Sequence, residues 1–185
     1  MRMQQLKLMA AALIVAAPLT QAAALDAGKS QINFTMKQLN VPVNGSFKKF
    51  SGNVVLDLKK PEAGKAEITI DTASINLPTA EAVGEAKKAD WFNVAKFPTA
   101  RFVSSSIKPL GGGKLQVAGK LTIKGNTRDV TAPFTARQEG GLTVVEGVLP
   151  VSRLAYKIGE GDWADTGTVA DEVQIKFKVA IPASK

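Results

Sequence analysis

Residues 173–181 read VQIKFKVAI, and this stretch decides the fold class of the chain. Apolar side chains occupy every second position, and glutamine or lysine stands at three of the four positions between them. Because successive side chains of a β-strand point to opposite faces, the alternation predicts a strand with one apolar and one solvated face.

The same alternation recurs along most of the chain. With two less regular segments, it predicts about eight strands, at residues 32–36, 54–58, 66–70, 99–107, 115–123, 130–136, 142–155 and 173–181. Turn-forming residues separate these stretches at 61–64, 111–113, 125–126 and 140–141. Connections this short indicate antiparallel neighbours, and Pro150 predicts a bend or a sheet edge in its strand.

One segment departs from the strand pattern. Residues 79–89 (TAEAVGEAKKA) follow Pro78 and are rich in alanine, glutamate and lysine, which predicts a short helix weakened by Gly84. About eight alternating antiparallel strands fold either as a sandwich or as a closed barrel, and a barrel of that size holds one small ligand. The alternation alone leaves both architectures open.

The composition excludes much of the common catalytic repertoire. The 185 residues include neither cysteine nor histidine, which removes disulfides, thiol nucleophiles, imidazole metal ligands and Ser–His catalysis. Glu160, Asp162 and Asp165 lie in a glycine-rich loop, but their spacing differs from that of EF-hand calcium ligands. We expect no metal, and the dispersed lysine pairs predict a solvated surface rather than a nucleic-acid site.

The first residues predict an export signal. Residues 1–24 combine a basic start at Arg2 and Lys7, an apolar run, and small residues for a peptidase at Ala22–Ala24. The alternative is an uncleaved anchor, although the run is short for a membrane-spanning helix. Cleavage leaves a domain of residues 25–185 with a net charge of +6, which favours transient contact with anionic membrane surfaces.

Five stretches, spread in order over nearly the whole of residues 25–185, carry a family resemblance. They are residues 30–34 (SQINF), 45–52 (GSFKKFSG), 91–104 (WFNVAKFPTARFVS), 119–127 (GKLTIKGNT) and 153–163 (RLAYKIGEGDW). The chain resembles the YceI-like family of periplasmic, lipocalin-like polyisoprenoid-binding proteins.

The resemblance implies a fold and a function. It implies an eight-stranded antiparallel lipocalin-like barrel with one short helix beside it. It also implies an apolar tunnel for a polyisoprenoid such as a polyprenyl or quinone tail, or for a fatty amide. It implies a periplasmic protein without catalysis and without a cofactor.

The alternating apolar residues are candidates for the tunnel wall. Non-directional contacts suffice to hold a hydrocarbon, so large apolar side chains are the residues to expect there. The candidates are Phe34, Leu56, Ile68, Ile70, Phe102, Val117, Phe134, Ile175 and Phe177. The alternative is that they fill a dry core, because every barrel needs some filling.

Aromatic residues near the two most specific stretches have two interpretations each. Trp91, Phe92 and Phe97 form either a lid that contacts the ligand or a plug that packs the helix onto the barrel; we predict ligand contact for Trp91 and a plug for Phe97. Tyr156 and Trp163 offer a polar handle at the tunnel mouth, or each hydrogen-bonds a backbone group.

Arg153 also has two interpretations. A guanidinium among apolar neighbours is suited to bidentate contact with a phosphate or a quinone oxygen. The alternative, which is the commoner fate of a partly buried arginine, is an ion pair with Asp162, Asp165 or Asp171.

The leading functional hypothesis is an exported, soluble carrier or reservoir for a long-chain isoprenoid lipid. The alternative on the same barrel is a structural or interaction module of the cell envelope that holds no ligand. An outer-membrane barrel would need its apolar faces outward, and two tryptophans and one tyrosine are few for two aromatic girdles. A hydrolase that uses carboxylates would need a metal or an unusual base, because the chain has no histidine or cysteine. A homodimer is left open.

Overall fold

Residues 22–183 fold as one curled antiparallel sheet with one short α-helix. The computed structural model describes residues 22–183. The strands are β1 (Ala23–Ala24), β2 (Gln31–Gln38), β3 (Val41–Phe47), β4 (Phe50–Val55), β5 (Lys65–Asp71), β6 (Ile75–Asn76), β7 (Thr99–Gly111), β8 (Lys114–Ile123), β9 (Asn126–Glu139), β10 (Leu142–Ser152) and β11 (Glu172–Pro182). Their order in the sheet is β1-β4-β5-β7-β8-β9-β10-β11-β2-β3-β6.

The segment after β1 brings distant strands of the sheet together. The Leu25 N–H donates to the carbonyl of Gly52 in β4 at 3.0 Å, and the Asp26 N–H donates to the carbonyl of Ala180 in β11 at 2.8 Å. The sheet therefore curls around its apolar face, which confirms the predicted antiparallel barrel. The predicted export signal lies outside the described residues, except for its last three.

The predicted number of eight strands is too low. β3 was missed because Pro42 and Gly45 interrupt its apolar pattern, and β1 and β6 have two residues each. Gly45 is required by packing, since a Cβ there would overlap the ring of Phe34 on the neighbouring strand. A glycine in a strand often marks such a close approach. Because glycine has no side chain, it interrupts the alternation by which the other strands were predicted.

The predicted helix and turns are confirmed. Helix α1 (Ala80–Ala86) begins after Thr79, whose hydroxyl caps it by accepting from the Ala82 N–H at 3.2 Å, and it ends earlier than predicted. Pro150 pairs with β11 only, because the ladder between β9 and β10 ends at Gly147. The prediction of a sheet edge at Pro150 therefore holds.

The apolar faces of the strands point into the barrel. They form two large clusters, one around Leu121, Val151 and Ile158 and the other around Ile107 and Val179. The first cluster lies at the end where β7, β9 and β11 begin, and the second lies towards the opposite end.

Candidate ligand-binding cavity

Two apolar cavities lie inside the barrel. The larger, about 150 Å³, is lined only by alanine, valine, leucine, isoleucine and phenylalanine, and we call it the hydrocarbon cavity. The smaller, about 110 Å³, also has polar residues in its wall, and we call it the cap cavity. The two cavities adjoin because four residues line both of them: Ile32, Ile70, Leu121 and Ile175. For scale, an apolar protein cavity of about 150 Å³ accepts benzene.

Most of the predicted tunnel residues line these cavities. The hydrocarbon cavity includes Leu56, Ile68, Ile70, Phe102, Val117, Phe134, Ile175 and Phe177. The cap cavity includes Phe34, Ile70, Trp91, Arg153, Tyr156 and Ile175. Trp163 lines neither cavity. The structure thus brings twelve of the thirteen candidates together around one interior space; their contact with a ligand stays a prediction.

The candidate residues cover about a third of the cavity wall. Among the residues that were missed, Ile107, Val145, Val179 and Ile181 line the hydrocarbon cavity and Ile158 lines the cap cavity. The signal was present for Val179 and Ile181, which share the parity of Phe177 in β11. Ile158 gave no such signal because it lies in an irregular loop, whose contacts the strand period does not predict.

The cap cavity is closed by two loop segments, residues 88–97 and 153–170, which we call the cap. The carbonyl of Asp90 accepts the N–H groups of Gly159 at 2.8 Å and Glu160 at 2.9 Å, which ties the two segments together. The rings of Trp91 and Trp163 pack at 5.5 Å between centroids. Phe97 instead packs against the turn between β8 and β9, where a Cβ on Gly125 would lie 2.8 Å from its ring.

The side chain of Arg153 holds the second cap segment by donating hydrogen bonds to the backbone carbonyls of that segment. Its Nε donates to the carbonyl of Ala170 at 3.1 Å, its Nη1 to Ile158 and Gly159 at 2.9 Å each, and its Nη2 to Trp163 and Val169 at 2.7 Å each. A guanidinium has five N–H donors, so each has an acceptor. Gly159 has φ +75°, and a Cβ there would lie 2.5 Å from Nη1, so this position needs glycine.

Neither sequence-based interpretation of Arg153 describes the observed arrangement. Arg153 makes no ion pair within 4.0 Å in the described part of the chain, and its donors are directed to carbonyls rather than held free for a head group. Burial lowers the pKa of Arg153, and the charge of Asp171 opposes that effect. The Asp171 carboxylate accepts from the Ser152 hydroxyl and the Leu154 N–H, both at 2.9 Å.

A second cation is held at the rim of the cap. Lys124, in the turn between β8 and β9, is buried, and its Nζ donates to the carbonyl of Lys157 at 2.7 Å and to the Glu160 carboxylate at 2.9 Å. The hydrogen bond from Lys124 lowers the pKa of Glu160. Glu160 therefore acts as a structural anion in this loop, and the Asp165 carboxylate is similarly held by the Thr168 hydroxyl at 2.8 Å.

Two buried polar atoms beside the cap cavity have no hydrogen-bond partner among residues 22–183. They are the hydroxyl of Tyr156 and the indole Nε1 of Trp91. Tyr156 is 2% exposed and Trp91 8% exposed, and burial raises the pKa of Tyr156. Tyr156 was predicted at a tunnel mouth, but it lies deep in the wall of the cap cavity.

Within residues 22–183, no three histidine, cysteine, aspartate or glutamate side chains lie together as a metal-binding group. The same residues contain no helix that is both long enough and apolar enough to cross a membrane.

A YceI-like domain profile matches residues 24–181, which takes in the sheet except for the first residue of β1 and the last residue of β11. The chain belongs to the YceI-like family. The resemblance inferred from the five sequence stretches is therefore confirmed.

The chain is similar to a curated relative and to a solved structure. The YceI protein of Salmonella newport is 40% identical over 101 residues, and the match spans about half of the length of each chain, 54% of this one and 52% of the relative. The crystal structure of Burkholderia cenocepacia BcnA has a TM-score of 0.82 at 47% identity and covers 84% of this chain and 98% of that one.

A more distant structure shows the same fold. The polyisoprenoid-binding domain from Saccharophagus degradans has a TM-score of 0.70 at 19% identity, and the match covers 89% of this chain and 100% of that one. At this identity the likeness concerns the fold alone.

Proposed function

We propose that this YceI-like protein is a carrier or reservoir that binds one long-chain lipid, an isoprenoid or a fatty amide, inside the barrel. The observation that carries the proposal is a pair of adjoining cavities that share four lining residues. One of these cavities is lined by hydrocarbon side chains alone. The polyisoprenoid-binding description of the Saccharophagus degradans domain, which has the same fold, supports the choice of ligand class.

Burial of the ligand supplies the affinity. Each Å² of apolar surface removed from water contributes roughly 25 cal/mol, so a tail that buries several hundred Å² gains on the order of ten kcal/mol before entropy losses. Hydrogen bonds are not needed along the tail. The hydrocarbon cavity suits this role because no side chain in its wall has a polar atom.

A space-filling variant tests the proposal. Val117 lines the hydrocarbon cavity, so Val117→Phe places a ring in space that a ligand would use. We expect the delipidated variant to fold and to bind geranylgeraniol at least about tenfold more weakly, as measured by native mass spectrometry. The matched control is Val148→Phe on the exposed face of β10, with unchanged affinity.

The outcome separates the carrier from the structural module. If the purified protein yields no extractable lipid and the delipidated wild type binds no added isoprenoid, the ligand-free module replaces the carrier. If Val117→Phe binds as well as the wild type, the ligand lies elsewhere.

Export is part of the proposal, with a signal that is cleaved near residues 22–24. Strand β1 supports cleavage after Ala22, because Ala23 and Ala24 pair with Val54 and Asn53 of β4 and a later cut would remove that pairing. The intact mass of the protein recovered from the cell envelope tests this position. A mature chain that begins at Leu25 would contradict it.

Membrane contact is proposed at the end opposite the cap. Leu58 is 38% exposed in the loop after β4, beside Lys59 and Lys60, and Leu110 is 52% exposed in the hairpin between β7 and β8. Both loops lie at the same end because β4, β5 and β7 are antiparallel neighbours. Apolar tips flanked by lysines fit an anionic lipid surface.

A further inference from the structure

Four side chains line both cavities and lie between them. They are Ile32 in β2, Ile70 in β5, Leu121 in β8 and Ile175 in β11. In the order of the sheet, β7 separates β5 from β8, and β9 and β10 separate β8 from β11. The four residues therefore approach the interior from several sides of the barrel, and we call them the neck.

Two strands show where one cavity gives way to the other. In β11, Phe177 lines the hydrocarbon cavity and Val173 lines the cap cavity, and Ile175 stands between them and lines both. In β5, Ile68 lines the hydrocarbon cavity alone, and Ile70, the next residue on the same face, lines both. Each strand thus passes from one cavity to the other at its neck residue.

Strand β7 shows that the neck is one layer of the interior. Its residue Phe102 lines only the hydrocarbon cavity and pairs with Leu121, whereas Ala100 lines only the cap cavity and pairs with Ile70. The change of cavity on β7 therefore falls between the two positions that face the neck. Neighbouring strands change cavity at the same level of the barrel.

The neck is built from bulky side chains with little freedom to move. Three of the four are isoleucines, whose branch at Cβ restricts rotation about the first side-chain bond. Ile32 and Leu121 are 6% and 5% exposed, and close packing restricts such buried side chains further. A chain that extends from one cavity into the other must displace neck side chains, whereas a compact molecule in the hydrocarbon cavity need not.

The size of the hydrocarbon cavity decides which ligands must cross the neck. The cavity measures about 150 Å³, a volume that accepts benzene but not a long chain. We propose that the neck determines selectivity for chain length, because long chains bind only by passing between its side chains. This inference rests on the proposed lipid-binding function and adds the residues that set its selectivity.

Two probes distinguish the neck from the cavity walls: benzene, which fits the hydrocarbon cavity, and geranylgeraniol, which exceeds it. Leu121→Phe should weaken geranylgeraniol at least about tenfold and benzene less than about threefold, because the larger side chain obstructs the passage. The matched control is Val117→Phe, which fills the hydrocarbon cavity itself and should weaken both probes. Delipidated protein is used throughout, with native mass spectrometry for geranylgeraniol and a methyl NMR titration for benzene.

A widened neck should give a change of the opposite sign. The double variant Ile70→Val with Ile175→Val removes two methyl groups from the neck, so a long chain has less to displace. We expect it to bind geranylgeraniol about threefold more tightly, with the benzene affinity unchanged within about twofold. If Leu121→Phe does not fold, as judged by circular dichroism, this double variant decides.

The remaining outcomes separate this inference from the proposed function. If Leu121→Phe weakens both probes to the same extent, or if the double variant binds geranylgeraniol more weakly, the four residues are ordinary wall and the neck is overturned while lipid binding stands. If the delipidated wild type does not bind geranylgeraniol, the proposed function fails and this inference fails with it.

Discussion

Replacement of Arg153 by lysine tests whether one side chain holds the cap. Lysine keeps the charge and much of the stem, but it has three N–H donors where arginine has five. At least two of the five carbonyls that Arg153 now serves therefore lose their donor. A hydrogen bond from a charged group contributes about 1.5–3 kcal/mol, so the loss is about 3 kcal/mol or more.

Urea and thermal unfolding measure this loss. Arg153 lies 5.9 Å from the ring of Trp91, so tryptophan fluorescence reports on the cap directly. For a domain of this size, 1 kcal/mol shifts the melting temperature by about 2–4 °C, which predicts a fall of about 6–12 °C. The matched control is Arg137→Lys, an exposed arginine that pairs with Glu146, for which we expect a much smaller loss because exposed ion pairs contribute little to stability.

Two results would refute this reasoning. One is an unfolding free energy for Arg153→Lys within about 0.5 kcal/mol of the wild type, the range of an ordinary surface substitution. The other is an equal loss in the Arg137→Lys control, which would make the effect one of arginine in general rather than of the buried carbonyl contacts.

Three further predictions follow from the geometry. Burial raises the pKa of Tyr156, the single tyrosine of the chain, so its absorbance should show ionisation only above the ordinary pKa of 10.0. The free energy of unfolding should fall as pH rises from that value towards the pKa in the folded state. Tyr156→Phe should remove this part of the fall. A titration at the ordinary value would contradict this. Gly45→Ala should destabilise the protein by about 1–3 kcal/mol, because the new Cβ overlaps the ring of Phe34. Gly84→Ala, with open space around it in α1, should stabilise the protein by about 0.5–1 kcal/mol. Equal effects of the two variants on the free energy of unfolding would contradict this explanation. Lys59→Glu with Lys60→Glu should slow lipid transfer from anionic vesicles but not from zwitterionic ones, and added salt should slow the wild type likewise; an unchanged rate from anionic vesicles counts against the proposed membrane contact.

The strand pattern was readable from sequence because it is local. Alternation along six segments, with two less regular segments, predicted eight of the eleven strands in residues 22–183, and glycine and proline located the turns between them. The same alternation identified nine apolar cavity residues, since side chains of one parity share one face of a strand. β3 was missed because Gly45 has to be small to make room for Phe34 on the neighbouring strand. The residues next to Gly45 in the sequence give no sign of this packing requirement.

The sequence by itself determined which face of the predicted strands is apolar, and its five stretches of family resemblance indicated the barrel and the family. Only the tertiary structure decided that these faces enclose two adjoining cavities and that Arg153 binds five carbonyls instead of a carboxylate. The physical reason is the separation along the sequence of the residues that determine each feature. Alternation follows from neighbours along one strand, whereas interior space and hydrogen-bond partners depend on how far the sheet curls and where loops from distant parts of the chain meet.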